Sequence, residues 1–373
     1  MAATIPQPPG FGEPAPLFTA ETDGIPNYSF HVVGGHWIVL MFFGSLSRPP
    51  ARLAHTAALA RAALFNDTDA LYFGVSFDMA DRIQHGLVNA AVGIRYFWDY
   101  DLAVHRLYGL AEDGERKPAV FLIDPNLRIV MSSPIEQADR VLDALERQLA
   151  AEAAAAEPPF APILVLPRVF EPALCAELVE HFQRAGGRAS GFAQDVEGQT
   201  LTVVNNRLKR RTDVIVEDPS LVDRLHQVLQ HRLLPMVQRA FGWQATHIER
   251  YLVSAYSADE SGFFSAHRDD TMLGTAHRKF AVSINLNTGA YEGGDLGFPE
   301  FGRRRYRPAL GGAVVFGCNL LHEVMPVTAG IRYAFLPFLY DEQGARLRKA
   351  NLGKVAGGGA NRQQRRQATK LRP

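Results

Sequence analysis

The first half of the chain alternates between continuous apolar runs and a helix-like pattern. It contains two apolar runs rich in β-branched and aromatic residues, HWIVLMFFG at 36–44 and ALYFGVSF at 70–77. Between them, apolar residues recur at helical spacing over 51–65. A later pair of runs, PAVFLID at 118–124 and RIVMSS at 128–133, is separated by PN and predicts a hairpin before a closing helix. This order of strand, helix and strand predicts an α/β domain with a central sheet.

The second half begins with helical patterns and ends with strands. Apolar residues recur every three or four positions in PALCAELVEHFQRAG at 172–186 and again over 220–241. The runs that follow are HIERYLVSAY, KFAVSINLN, GGDLGF, AVVFG and IRYAFLPFLY, and turns rich in Gly, Asp and Asn separate them. Such a series of short strands predicts a β-sandwich or a barrel of the jelly-roll type.

Two breaks divide the chain into three regions. A helical pattern that ends in AAEAAAAE stops at the Pro pair beginning at Pro158, because proline cannot continue a helix. The C-terminal residues are rich in Gly, Gln and Arg and poor in large apolar residues, which predicts a mobile tail. We therefore expect domains at 1–157 and 158–345, followed by a basic flexible tail at 346–373. A chain of 373 residues also exceeds the size of most single cores.

Composition and charge limit the cellular locations and partners that we expect for the protein. The net charge is zero, yet residues 343–373 hold nine Lys or Arg and no acidic residue, so the rest of the chain is acidic. The tail lacks aromatic stacking residues and by itself does not predict a nucleic-acid partner. The only cysteines are Cys175 and Cys318, and no signal peptide or transmembrane run is evident. We expect a cytoplasmic protein without membrane contact.

A candidate metal motif lies in SGFFSAHRDD. On a strand, His267 and Asp269 share one face while Arg268 points the other way, so both ligands can reach one ion. Alone, the motif is equally well explained as a polar strand end. The later run CNLLHEVMPVTAGIRYAF supplies His322 and, on the next predicted strand, Arg332. Two imidazoles and one carboxylate form the facial set that leaves positions open on Fe(II).

Four pieces of sequence resemble the Fe(II)/2-oxoglutarate dioxygenases and, within them, the prolyl 4-hydroxylase-like group. They occur in the family's order and are HRD at 267–269, EGGDLGFPEFG at 292–302, LGGAVVF at 310–316 and HEVMPVTAGIRY at 322–333. The resemblance covers about 160–340. It implies that the second domain is an α+β double-stranded β-helix, or jelly roll.

The resemblance also implies roles for individual residues. Three side chains would bind Fe(II): His267, Asp269 and His322. Arg332 would bind the distal carboxylate of 2-oxoglutarate, since a guanidinium stays charged and its planar fork can pair both carboxylate oxygens. Tyr256 and Asn285 are candidates for hydrogen bonds to this cosubstrate. Each is explained equally well as a polar barrel residue that its neighbours satisfy.

The implied reaction hydroxylates a C–H bond with dioxygen and converts 2-oxoglutarate to succinate and carbon dioxide, with ascorbate as a further expected cofactor. We expect a protein or peptide side chain as substrate, prolyl by analogy, and a small molecule as the alternative. Halogenating relatives replace the carboxylate ligand by a small residue, so Asp269 argues against halogenation. No helical HExxH pattern supports a zinc hydrolase. A non-catalytic binding or sensing protein is the remaining alternative, and the complete ligand set with Arg332 argues against it.

The first domain carries a second resemblance. GEPAPLFTAETDG at 12–24, HWIVLMFFG, GVSFD and KPAVFLIDPNLRIV resemble the peroxiredoxin and alkyl hydroperoxide reductase branch of the thioredoxin fold. That family implies a peroxidatic cysteine at the start of the helix after the first apolar strand. This chain has GSLSRPPARL there, with Ser45 and Ser47, and no cysteine occurs within 1–157. We expect a non-peroxidatic module that packs on the oxygenase, binds a partner or shapes the substrate entrance.

Two further patterns are interpreted as structural. The tripeptide HIE at 247–249 has ligand-like spacing but no third ligand, so we expect a strand surface there. The basic segments NNRLKRR at 205–211 and GRRRYR at 302–307 are interpreted as solvated loops that flank the barrel. The alternative is that they attract an acidic or polyanionic substrate to its mouth.

Overall fold

The computed structural model describes residues 7–89, 91–112, 115–154, 159–196, 198–355 and 368–370. The chain divides into two compact units. The first unit comprises Met1–Phe160 with Pro299–Gly302, and the second comprises Ala161–Phe298 with Arg303–Pro373. No helix in the described part of the chain is long and apolar enough to cross a membrane.

The first unit contains a seven-stranded sheet and four helices within its described residues. Its strands are β1 (Thr19–Thr22), β2 (Ile25–Ser29), β3 (Trp37–Gly44), β4 (Ala70–Ser76), β5 (Ile94–Trp98), β6 (Ala111–Glu112), β7 (Glu115–Arg116), β8 (Ala119–Ile123) and β9 (Ile129–Pro134). Its helices are α1 (Pro49–Ala60), α2 (Met79–Ile83), α3 (Ala103–Leu107) and α4 (Ala138–Ala154).

The central sheet has the strand order β2-β1-β5-β4-β3-β8-β9. Strands β3, β4 and β5 are parallel, whereas β8 and β9 form the predicted antiparallel hairpin beside β3. The parallel strands are joined through helices, which is the connection that parallel pairing requires. The predicted α/β, thioredoxin-like fold class is confirmed.

The continuous apolar run of β3 follows from burial on both faces. Val39 and Met41 belong to the core cluster that includes α1 and α4, while Ile38 and Leu40 belong to the cluster on the opposite face. Successive side chains of a strand point to opposite faces, so a sheet covered on both sides needs no polar alternation.

The second unit contains a larger and a smaller sheet, a two-stranded sheet of β12 and β13, and four α-helices within its described residues. Its strands are β10 (Leu164–Leu166), β11 (Arg188–Ala189), β12 (Phe192–Val196), β13 (Gln199–Val203), β14 (Lys209–Arg210), β15 (Thr212–Ile215), β16 (His247–Glu249), β17 (Leu252–Ser257), β18 (Phe263–His267), β19 (Phe280–Asn285), β20 (Tyr291–Gly293), β21 (Leu296–Gly297), β22 (Arg305–Tyr306), β23 (Ala313–Gly317), β24 (His322–Val324), β25 (Val327–Phe335), β26 (Phe338–Tyr340) and β27 (Ala368–Lys370). Its helices are α5 (Pro172–Ala185), α6 (Pro219–Val228), α7 (Leu234–Phe241) and α8 (Glu342–Asn351).

The larger sheet follows the path β11-β15-β17-β25-β19-β26-β16-β27, and the smaller one has the order β14-β18-β24-β21-β22. Neighbouring strands pair antiparallel in both sheets. Helices α5 and α6 bury Leu178 and Leu225 in one core cluster with Val253 and Phe335 of the larger sheet. The predicted jelly-roll domain with preceding helices is confirmed.

Two local expectations are corrected. The run HIERYLVSAY is not one strand, because Arg250 has a φ of 55° that separates β16 from β17. The predicted mobile tail does not begin at residue 346, since α8 continues to Asn351. Residues 356–367 and 371–373 of that tail lie outside the described residues.

Candidate metal centre

The smaller sheet brings the three predicted ligands together. His267 ends β18 and pairs across the sheet with His322, the first residue of β24, and Asp269 follows two residues after the end of β18. One ligand atom from each residue lies within 4.8 Å of the other two. His267 Nε2 is 3.6 Å from Asp269 Oδ1, and His322 Nε2 is 3.4 Å from Asp269 Oδ2. The three donors therefore surround a single point.

Backbone carbonyls select the tautomer of both histidines. His267 Nδ1 lies 2.8 Å from the carbonyl oxygen of Ser265, and His322 Nδ1 lies 3.0 Å from that of Leu320. A carbonyl oxygen can only accept, so each Nδ1 donates its proton and each Nε2 keeps its lone pair. The lone pairs face Asp269, which is the arrangement that metal-bound histidines require.

Burial and mutual charge keep the ligands in their metal-binding protonation states. Burial lowers the pKa of His267 to about 3, and the neighbouring His322 acts in the same direction. Burial acts to raise the pKa of Asp269, but the protonated forms of His322 and His267, together with Arg278, act against it and hold that pKa well below its usual range. Near neutral pH the site therefore offers a neutral imidazole and a carboxylate without a proton to displace.

Arg332 lies on β25 of the larger sheet and is buried. Its Nη2 donates to Ser283 Oγ and to Asn285 Oδ1, both at 3.0 Å. Its Nε and Nη1 have no acceptor among the described residues. A buried donor without a partner costs about 1–3 kcal/mol, so this guanidinium fits an anionic ligand that would complete its hydrogen bonds.

The surroundings of Arg332 leave space for its side chain. Gly294 has a φ of 69°, and a Cβ at that position would lie 2.9 Å from Arg332 Cδ. Gly294, which lies between β20 and β21, therefore allows both a positive φ and the close approach of Arg332.

The two candidates for cosubstrate contacts, Tyr256 and Asn285, both lie beside Arg332. The Cζ atom of Arg332 is 5.3 Å from the Tyr256 ring centroid, and Tyr256 OH accepts from Arg211 Nη1 at 3.3 Å. Asn285 holds Arg332 through Oδ1, while its Nδ2 donates to Tyr291 OH at 2.8 Å. In the structure, Asn285 orients the guanidinium, and Tyr256 packs between two arginines.

A buried ion-pair cluster behind Asp269 was not predicted. Glu249 Oε2 lies 2.8 Å from His277 Nε2, and Arg278 donates to Glu249 through Nε at 2.9 Å and through Nη2 at 2.7 Å. Arg278 Nη1 also lies 3.5 Å from the carbonyl oxygen of Asp269. All three residues of β16 are buried, so the interpretation of HIE as a strand surface was wrong. No local pattern marks partners so distant along the chain.

Comparisons with known proteins agree with this division into two units. Residues 11–132 match the model of the AhpC/TSA family. The first domain is an AhpC/TSA domain.

PKHD-type hydroxylases of two Synechococcus strains are 33% identical to the chain over 93 residues, which make up 23% of this chain and 41% of each relative. A PKHD-type hydroxylase of Thioalkalivibrio sulfidiphilus is 31% identical over 134 residues, or 34% of this chain and 58% of that protein.

The chain thus spans about half the length of the curated relatives it matches. A solved prolyl-4-hydroxylase from Pseudomonas putida has 16% sequence identity and a TM-score of 0.38, with 48% of this chain and 93% of that chain covered. The two predicted resemblances are confirmed, since the chain combines an AhpC/TSA domain with sequence similarity to PKHD-type hydroxylases.

Two carboxylates contact the segment of the AhpC/TSA domain in which the family resemblance implies a reactive cysteine. Ser45 Oγ donates to Asp78 Oδ2 at 2.6 Å. Asp81 is fully buried, accepts the Leu46 N–H at 3.0 Å and accepts from Ser76 Oγ at 2.6 Å. The Leu46 N–H therefore already donates to Asp81 and is not available to stabilise a thiolate at position 45.

We expect that Ser45→Cys does not restore an activated thiol. A thiolate at this position would lie next to the carboxylate of Asp78, which raises the thiol pKa above the value of about 8.5 for free cysteine. Iodoacetamide at neutral pH should alkylate Cys at 45 at least about threefold more slowly than cysteine in an unstructured peptide, because fewer thiols are ionised.

The matched control is Asp78→Asn in the Ser45→Cys background, which should recover the peptide rate. Native thiols contribute little background, because burial raises the pKa of Cys175 to about 11 and raises that of Cys318 as well. Faster alkylation than in the peptide, or thiol-dependent peroxide turnover by Ser45→Cys, would contradict the expectation.

Proposed function

We propose that the protein is an Fe(II)- and 2-oxoglutarate-dependent dioxygenase that hydroxylates a C–H bond of a protein or peptide side chain. One observation carries the proposal: two histidines and Asp269 surround one point, and the same unit holds a buried Arg332 whose Nε and Nη1 have no acceptor among the described residues. Succinate and carbon dioxide would be the coproducts, and ascorbate would support turnover. The names of the PKHD-type relatives support a hydroxylase, and a prolyl substrate is favoured only by analogy within the prolyl 4-hydroxylase-like group.

The donor set fits Fe(II) better than a structural metal. Two imidazoles and one carboxylate would occupy one face of an octahedral ion and leave positions for further ligands. When bound there, Fe(II) supplies a centre at which a 2-oxo acid and dioxygen can react. Zinc would take a fourth protein ligand in a structural site, and among the described residues only His267, Asp269 and His322 form such a group.

Arg332 would bind the distal carboxylate of 2-oxoglutarate. Ser283 and Asn285 hold its Nη2, so the guanidinium is oriented before the cosubstrate arrives. A carboxylate would accept from the remaining N–H groups, forming charge-assisted hydrogen bonds in a buried setting. The pairing removes the cost of the unused donors, which favours the bound state.

Aromatic side chains pack against the ligand rings. Phe264 stacks on His267 with ring centroids 3.5 Å apart, and Phe316 lies 4.6 Å from the His322 ring. Such contacts fix the imidazole planes and lower the local dielectric, so charges at the centre interact more strongly than in water.

The backbone of Asp269 is held from both sides. Its N–H donates to the Cys318 carbonyl oxygen at 2.8 Å, and its carbonyl oxygen faces Arg278 of the buried ion-pair cluster. Cys318 immediately follows β23, which connects to the strand of the second histidine. The carboxylate ligand is thus positioned by the same elements that carry the other ligands.

For the AhpC/TSA domain we propose a docking role without thiol chemistry. This proposal rests on the Ser45–Asp78 contact and on the absence of cysteine from residues 1–157. A folded redoxin module can present a surface for a protein substrate while the second domain performs the reaction.

Uncoupled turnover tests the proposed activity without knowledge of the substrate. The full chain with Fe(II), ascorbate, dioxygen and 2-oxoglutarate should form succinate slowly, because the ligand set and Arg332 suffice for it. A chelator should stop the reaction, and added Fe(II) should restore it. Failure to form succinate while the protein binds neither Fe(II) nor 2-oxoglutarate would refute the assignment.

A further inference from the structure

The basic segment 205–211 contains two buried cations that the proposed reaction does not use. Lys209 is 4% exposed and Arg211 is 8% exposed, whereas Arg210 between them is exposed. Alternate residues of an extended segment share a face, so Lys209 and Arg211 enter the same interior space. The interpretation of this segment as a solvated loop is therefore wrong for these two residues.

One carboxylate, that of Asp213, lies beside the pair and is fully engaged by other groups. Its Oδ1 is 2.8 Å from Arg211 Nε and accepts from Ser254 Oγ at 2.7 Å. Its Oδ2 accepts from Arg211 Nη2 at 2.8 Å and from Ser190 Oγ. Arg211 and Asp213 thus neutralise each other, and Lys209 reaches Asp213 only through Ser190.

Lys209 has only uncharged acceptors. Its Nζ donates to Ser190 Oγ and to the Gly191 carbonyl oxygen, both at 2.7 Å. Nζ also lies 4.7 Å from the centroid of Phe264, the ring that stacks on His267. Within the part of the chain that the structure describes, Lys209 forms no ion pair with a carboxylate.

A buried ammonium group without a counter-ion is unfavourable. Burial lowers the pKa of Lys209 well below its usual value, and Arg211 and Arg250 act in the same direction, although the carboxylates of Asp213 and Asp269 oppose them. An anion from outside the chain, bound at Nζ, would favour the ammonium form of Lys209.

We propose that Lys209 is the subsite for a carboxylate group of the substrate, present as an acidic side chain or as a free α-carboxylate. The inference rests on the proposed function and narrows its substrate class. An ammonium group has three N–H donors, and Ser190 and Gly191 take two of them, which leaves one for a ligand. The Phe264 ring contacts both Lys209 Nζ and His267, which places this subsite next to the metal centre.

Two variants distinguish carboxylate binding at Lys209 from a general effect of positive charge on this strand. Lys209→Met removes the charge and keeps the length of the side chain. Arg210→Met is the matched control, since it removes the same charge from the same strand, where Arg210 is exposed and donates to the carbonyl oxygens of Asn206 and Glu260. An apolar residue in place of a buried, uncompensated cation should not lower the thermal transition of the full chain.

Binding is measured with two pairs of probes in the presence of saturating 2-oxoglutarate. N-acetylproline and N-acetylprolinamide test a free α-carboxylate, and N-acetylglutamic acid α-amide and N-acetylglutamine amide test an acidic side chain. The wild-type protein should bind at least one acid about ten- to a hundredfold more tightly than its amide, as expected for a charge-assisted hydrogen bond. Lys209→Met should lose this preference, and Arg210→Met should retain it.

Mn(II) in place of Fe(II) reports where the acid binds, because it broadens the NMR signals of protons near the metal. The preferred acid should be broadened in the wild type and not in Lys209→Met. The subsite is refuted if neither acid is preferred over its amide, or if Lys209→Met keeps the preference. If the wild type binds neither Mn(II) nor 2-oxoglutarate, the proposed function fails. Calorimetric titration of the acids and their amides without metal then still tests whether Lys209 binds a carboxylate.

Discussion

Alanine at His267 or at His322 is expected to abolish stoichiometric metal binding and to lower uncoupled succinate formation by more than about a hundredfold. The estimate follows because loss of a residue that only orients a metal ligand already lowers metal affinity or activity about ten- to a hundredfold. Each Nε2 faces Asp269 and has no substitute nearby, since the only such ligand group among the described residues is this one. Metal content after desalting and succinate yield are the two measurements.

The matched control is His231→Ala, which removes an exposed histidine from the same unit. It should retain one equivalent of metal and full succinate formation. One equivalent of Fe(II) bound with wild-type affinity by His267→Ala or by His322→Ala would show that the metal is held elsewhere. Unchanged succinate formation in either variant would lead to the same conclusion.

Arg332→Gln is expected to weaken 2-oxoglutarate binding by about ten- to a hundredfold while Fe(II) affinity stays unchanged. A charge-assisted hydrogen bond contributes about 1.5–3 kcal/mol, and the glutamine amide can replace neither the charge nor the planar fork. The thermal transition of the ligand-free protein should not fall by a comparable amount, because two donors of Arg332 have no partner there to lose. Calorimetric titration of 2-oxoglutarate and of Fe(II) measures both effects.

Arg346→Gln serves as the control, since Arg346 is exposed on α8 and carries the same charge. It should leave both affinities unchanged. If Arg332→Gln binds 2-oxoglutarate as tightly as the wild type, the carboxylate must pair with a different cation, and the buried Arg211 would be the first to test. Loss of Fe(II) binding together with 2-oxoglutarate binding would instead indicate a collapsed barrel.

Residues 1–157, which contain the AhpC/TSA domain, have no cysteine. Asp78 and Asp81 take the hydrogen bonds at the position where an AhpC/TSA protein would activate a thiol. Retaining the sheet without the reactive residue is consistent with use as a docking surface. Hydroxylation of the true substrate should therefore depend on the AhpC/TSA domain more than uncoupled succinate formation does.

The sequence by itself determined the elements and the identity of the proposed ligands. Burial on both faces gives β3 its unbroken apolar run, and the period of two in a strand puts His267 and Asp269 on one face. These signals are local, because they depend on side-chain direction along a single strand. The third ligand, His322, was found through the motif order that the resemblance supplied.

Only the tertiary structure decided which charges are buried and which donors stay unused. The HIE tripeptide and the basic segment 205–211 look like solvated surface, yet Glu249 and Lys209 are buried. Burial depends on which strands become neighbours, and β16 lies between β26 and β27 while β14 lies beside β18. A charged residue is buried when partners distant in the chain compensate it. Those partners become visible only when the sheets pack.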